Sequence, residues 1–106
     1  RTTPELLDAV MTAASGPSRP ALRPMLDGLP IAGGTGTLAD RFDEPDNPAA
    51  GWVRAKTGTL SGTSALAGTV TSVNGDIYTF ALICNDADVL EARRAMDEFT
   101  SALRQF

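Results

Sequence analysis

Hydrophobic positions along this chain change from helical to strand period near Trp52 and return to helical period near Val89. Upstream, Leu6, Leu7, Val10 and Met11 recur at helical spacing and predict a helix over residues 3–14. Pro4 suits the first helical position behind a Thr3 cap, while Thr2 with Glu5 fits a capping box, so both starts stay open. Gly16-Pro17 is the stop. A short helix is expected around residues 20–27, weakened by Pro24, which lacks a backbone donor. Residues 28–51 read mostly as loop, with a glycine-rich "IAGGTGTL" (31–38) and a proline-bearing "DEPDNPAAG" (43–51). Between them "TLADRF" (37–42) predicts one helical turn capped by Thr37.

From Trp52 onward the pattern is that of strands: Trp52–Thr59, Ala65–Val73 and Asp76–Cys84. Asn74-Gly75 predicts a two-residue hairpin turn, because both residue types tolerate positive φ. Asn85 or Asp86 then caps a last helix running to about Gln105. In it Val89, Ala92, Met96, Phe99, Leu103 and Phe106 form one apolar stripe that wants a sheet face to cover.

The strand "DIYTFALIC" carries apolar residues on both faces, Ile77, Ala81 and Ile83 on one and Tyr78, Phe80, Leu82 and Cys84 on the other. Such a strand normally lies inside its sheet, paired along both edges. The hairpin supplies one neighbour, and the simplest meander leaves the far edge of 76–84 open. An open edge of this kind invites aggregation. The pattern therefore favours a further polypeptide segment pairing there over a free-standing meander.

Composition narrows the chemistry. At 106 residues with 42% hydrophobic content the chain is one small domain or part of a larger one. Its formal net charge of -4, with basic residues dispersed, gives no nucleic-acid footprint. No apolar run reaches membrane-spanning length, and no leader-like segment opens the sequence, so any targeting segment of an exported protein is expected outside this stretch. Cys84 is alone, which forbids an internal disulfide, and no Cys/His cluster exists to hold zinc. Histidine is absent, so a Ser-His-Asp triad cannot be assembled from these residues.

The lone lysine, Lys56, sits in a predicted strand in the string Lys56-Thr57-Gly58. Taken by themselves, these residues also suit a strand edge that uses one lysine to guard against aggregation. The surrounding string decides. "AGWVRAKTGTLSGTSALAGTV", preceded by "LPIAGGTGTL" and by the helix "RTTPELL", resembles the C-terminal part of the low-molecular-mass class C penicillin-binding proteins. These are the D-alanyl-D-alanine carboxypeptidase/endopeptidase group, whose site combines Ser-x-x-Lys, Ser-x-Asn and Lys-Thr-Gly motifs. Thr35 departs from the pattern, since many relatives carry an acidic residue in an Asp-Gly-Thr-Leu string.

The resemblance implies an α+β fold, an antiparallel sheet flanked by helices of the penicillin-binding/β-lactamase kind, to which residues 1–106 contribute about three strands and the closing helix. It implies that Lys56 is the second lysine of the site, holding a proton network and favouring the substrate carboxylate. Thr57 would donate its hydroxyl to that carboxylate, and Gly58 would let the ligand approach the backbone. The N–H of Thr59 would be one of a pair of oxyanion-hole donors. Lys56 and Thr59 are thus the expected catalytic residues, and Thr57 and Gly58 the expected substrate-binding ones. No Ser-x-x-Lys is present, because Val53 stands three before Lys56. The serine and its lysine base must come from an upstream segment or a second chain. The implied activity is extracytoplasmic cleavage of peptidoglycan stem peptides through an acyl-serine, inhibited by β-lactams, with no metal or organic cofactor and no nucleic-acid partner. A non-catalytic peptide-binding module and a serine β-lactamase share these features and stay open as alternatives.

Other features carry less. Ser72-Val73-Asn74 imitates Ser-x-Asn but follows Lys-Thr-Gly, and reads as turn chemistry. "GGTG" (33–36) lacks the strand and the Gly-Lys-Ser/Thr of a phosphate loop. Glu44 and Asp46 read as a solvated loop, and Cys84 as a packing residue. Trp52 is either core or rim.

Overall fold

The computed structural model describes residues 2–42 and 45–106. Glu44, expected in a solvated loop, lies outside the described residues. Helix α1 spans Pro4–Ser15, and Thr3 is its cap, accepting the Leu6 N–H at 3.1 Å. The stretch expected as one helix over 20–27 is instead a 3₁₀ turn (Pro20–Leu22) followed by the short helix α2 (Pro24–Asp27). Pro24 begins α2 because its missing N–H cannot continue the preceding turn. The turn expected to be capped by Thr37 is a 3₁₀ turn over Gly36–Leu38, preceded by Thr35. Thr37 therefore lies inside it, and its hydroxyl is directed elsewhere.

Strands β1 (Val53–Leu60), β2 (Thr63–Thr71) and β3 (Ile77–Asn85) form an antiparallel sheet in the order β1-β2-β3. Their bounds differ by one or two residues from those expected. The β2–β3 connection corrects the expected two-residue turn. Gly75 N–H bonds Ser72 C=O at 3.0 Å, Ser72 N–H bonds Asp76 C=O at 2.8 Å, and only Gly75 has positive φ, +86°. This is a three-residue loop with glycine in the left-handed position, so Asn74 keeps an ordinary conformation. Ser72 Oγ also accepts the Asp76 N–H at 3.2 Å, which accounts for the serine in the false Ser-x-Asn string.

Helix α3 spans Val89–Arg104 and is capped by Asp88, not by Asn85 or Asp86. Asp88 Oδ1 accepts the N–H groups of Leu90 and Glu91, each at 3.1 Å. The later start follows from β3 running through Asn85, after which Asp86 turns left-handed (φ 56°) and ties its N–H to Gly62 C=O. No helix among the described residues is long and apolar enough to cross a membrane.

The helices cover opposite faces of the sheet. On one face Met96 of α3 packs with Leu66, Val70 and Phe80, together with Leu38 and Phe42 from the connecting loop, and Ala92 of the same helix is buried. Cys84 is half-buried at the border of this core, as a packing residue should be. On the other face Met11 and Ala14 of α1 are buried, and Thr79 Oγ1 donates to Asp8 Oδ1 at 2.7 Å. The stripe of α3 is only partly covered, with Phe99 48% and Phe106 61% exposed. Phe99 and Leu103 line one wall of a groove of about 370 Å³ along the outer edge of β3, opposite Pro4 and Asp8. Trp52 lies outside the core, 48% exposed, with the Arg104 guanidinium 4.1 Å above its ring.

Candidate active-site wall on β1

Strand β1 is the edge strand opposite β3. Its first half is nonetheless covered. Ala32 N–H donates to Val53 C=O at 2.9 Å, Ala55 N–H donates to Pro30 C=O at 3.0 Å, and Ile31 pairs antiparallel with Arg54. These bonds fix which groups face outward. Backbone groups alternate sides along an antiparallel strand, so Val53 and Ala55 are followed on the outer rim by Thr57 and Thr59. The N–H and C=O of Thr57 and Thr59 therefore lie on the rim beyond the 30–32 segment.

Side chains alternate with the same period. Val53 and Ala55 are fully buried against the α3 side, while Lys56 and Gly58 sit on the opposite face, exposed. Lys56 Nζ donates to Thr57 C=O at 3.0 Å, which keeps the ammonium beside the rim. Thr57 Oγ1 donates to Thr37 Oγ1 at 3.2 Å. A methyl group on Gly58 would meet only Ala65 Cβ, at an ordinary 3.6 Å. Packing within the chain thus does not require glycine at 58. Thr59 is exposed, opposite Ser64 of β2.

Lys56, Thr57, Gly58 and Thr59 share one stretch of β1 by their succession in the strand. Thr37, absent from the residues expected there, is brought in from 20 positions upstream. Its signal was the Gly-Thr-Leu string, obscured by the departure at Thr35. That departure has a local account: Thr35 Oγ1 accepts the Ile31 N–H at 3.0 Å and closes the loop. The geometry asks position 35 for an acceptor, which a carboxylate also supplies.

Comparison with known proteins places the sequence and the fold. The sequence model of the D-Ala-D-Ala carboxypeptidase 3 (S13) family matches residues 1–103. The chain is 53% identical to carboxypeptidase DacB of Mycolicibacterium smegmatis over 98% of its length, and 50% identical to carboxypeptidase Rv3627c of Mycobacterium tuberculosis over 97%. It spans 23% of the length of each. Its fold matches penicillin binding protein 4 (dacB) from Haemophilus influenzae, with TM-score 0.76 at 23% identity over 99% of this chain and 25% of that one. A second structure of that protein, complexed with a β-lactam, matches with TM-score 0.79 at 24% identity over 99% of this chain and 26% of that one. The chain belongs to the D-Ala-D-Ala carboxypeptidase 3 (S13) family.

Proposed function

We propose that this chain carries the Lys-Thr-Gly wall of a serine D-alanyl-D-alanine carboxypeptidase/endopeptidase acting on peptidoglycan stem peptides outside the cytoplasm. The observation behind this reading is the rim of β1, where Thr57 and Thr59 present backbone groups beside the Lys56 ammonium and the Thr57 hydroxyl. A substrate backbone can add alongside such a rim as a further strand.

In this reading the Thr57 hydroxyl and the Lys56 cation bind the terminal carboxylate of the substrate, a charge-assisted contact. A serine from another segment attacks the carbonyl before the last D-alanine, and its proton passes to a lysine base on that segment. The resulting oxyanion accepts the Thr59 N–H, a contact whose loss typically costs about 3 kcal/mol of transition-state stabilisation. D-Alanine then leaves as the protonated amine, and water releases the acyl-serine. Gly58 allows the ligand to lie against the strand, consistent with an added methyl meeting no obstacle inside the chain. β-Lactams, as carboxylate-bearing acylating agents, are the expected inhibitors.

The serine and its partners belong to a segment that also completes the sheet. The groove along β3, with Phe99 exposed on its wall, supports residues 1–106 as part of a transpeptidase-like domain closed by a strand from elsewhere.

The test is fluorescent-penicillin labelling of the longer protein bearing the Ser-x-x-Lys and Ser-x-Asn motifs, with Lys56→Ala and Thr57→Ala variants. Both substitutions should slow labelling by about tenfold or more. Undiminished labelling in both would remove the roles assigned to these residues. Penicillin hydrolysis far faster than trapping of the acyl-enzyme would make the protein a β-lactamase instead.

A further inference from the structure

We propose that Thr37 is a positioning residue for the Thr57 hydroxyl, and thereby sets the preference of the site for ligands ending in a carboxylate. The proposal rests on the reading of Thr57 as the carboxylate donor. It begins from the hydroxyl pair, Thr57 Oγ1 to Thr37 Oγ1 at 3.2 Å.

Thr37 is held firmly while its side chain stays exposed. The adjoining Leu38 is fully buried in the core, and Gly33 N–H bonds its carbonyl at 3.0 Å. On the other side Gly36 is left-handed (φ +57°), and its Cβ direction points at Pro30 Cγ only 3.0 Å away, so the turn lies tightly on Pro30. Pro30 in turn is stitched to Ala55 of β1. The turn carrying Thr37 is thus tied through Pro30 to the strand carrying Thr57, which brings the two threonines within reach of each other.

A hydroxyl has one proton and two acceptor sites. Without ligand, Thr57 gives its proton to Thr37. An arriving carboxylate claims that proton, and Thr37 can then rotate its own proton into the acceptor site that Thr57 has available. The result is a chain from Thr37 O–H to Thr57 O–H to the anion. In such a chain the first bond polarises the second and strengthens it. The Thr37 bond also holds Thr57, a β-branched residue with few allowed rotamers, in the one facing the ligand.

The experiment uses the longer protein and a pair of acyl-D-alanyl thioesters whose leaving groups carry or lack a carboxylate. Thr37→Val preserves shape and removes the hydroxyl, Thr37→Ser restores it, and Thr57→Val tests the parent reading. Thr37→Val should lower kcat/KM about fivefold on the carboxylate-bearing thioester and hardly at all on the other, with Thr37→Ser near the parent value. An unchanged carboxylate preference in Thr37→Val, with the preference erased by Thr57→Val, overturns the role of Thr37 alone. Equal losses on both thioesters, or no rescue by serine, mark Thr37 as structural and also overturn it. A preference untouched by Thr57→Val overturns the reading of the site itself.

Discussion

Arg41, in the loop before β1, grips Asp97 of α3 with a two-pronged ion pair: Nε donates to Oδ2 at 3.1 Å and a terminal nitrogen donates to Oδ1. The side chains are only 13% and 21% exposed. Arg41 also reaches the Arg93 carbonyl at 3.5 Å. This contact pins the glycine-rich loop, and with it the turn holding Thr37, to the helix that covers the core. Arg41→Ala should destabilise the fold by about 2 kcal/mol, less than a fully buried pair because water still reaches it. Arg41→Lys should recover only part, since a single ammonium cannot bridge both oxygens in the same plane. Urea denaturation of the variants measures both; equal midpoints for parent and Arg41→Ala would contradict the assignment.

Arg104 and Trp52 make a second clasp, at the far end of α3. The guanidinium stacks over the indole and also donates to the carbonyls of Pro48 (3.3 Å) and Thr71 (3.2 Å). Trp52→Ala removes the ring alone and should cost about 1 kcal/mol. Arg104→Ala removes ring contact and both hydrogen bonds and should cost about 2 kcal/mol. The order of melting temperatures, parent above Trp52→Ala above Arg104→Ala, is the observable.

Gly68 and Gly58 should behave oppositely. A Cβ on Gly68 would lie 2.0 Å from the Arg54 carbonyl oxygen and 2.6 Å from Ala55 Cα, both backbone atoms of the neighbouring strand. Gly68→Ala must push β1 away from β2 and should cost about 3 kcal/mol. Gly58→Ala meets no such obstacle and should leave the melting temperature unchanged or slightly raised. In the proposed site it should instead slow β-lactam acylation, so stability and reactivity separate at these glycines.

Amide hydrogen exchange tests the edge of β3. The register with β2 turns the N–H groups of Phe80, Leu82 and Cys84 inward and those of Thr79, Ala81 and Ile83 outward. In the 106-residue chain the first group should exchange slowly and the second fast. In a longer protein supplying the proposed strand, the second group should become protected as well. Fast exchange there too would mean that no strand docks on this edge.

Much of this was legible in the sequence because period and local chemistry agree. The strands and α3 announce themselves by alternation and by a three-four stripe, and Lys56-Thr57-Gly58 sits in a string specific enough to point to its family. The errors arose where a side chain had competing partners. Asn74-Gly75 suggested a two-residue turn, but Ser72 supplies bonds that favour a longer loop. Thr37 looked like a cap, yet its hydroxyl meets Thr57 across a contact no local pattern encodes. Asp88 rather than Asp86 caps α3 because β3 runs further than its apolar residues do. Long-range hydroxyl contacts leave no period behind, so the loop contribution to the rim had only the Gly-Thr-Leu string to mark it, obscured by Thr35.

The segment Pro30–Ala32 does more than brace β1, because it fills the sheet border as far as Ala55. Beyond it, the berth for a guest backbone runs from Thr57 to Thr59, about 7 Å at the usual rise of a strand. In the proposed site, a guest backbone running toward Pro30 would have to stop or bend away there, because that stretch of border is already taken.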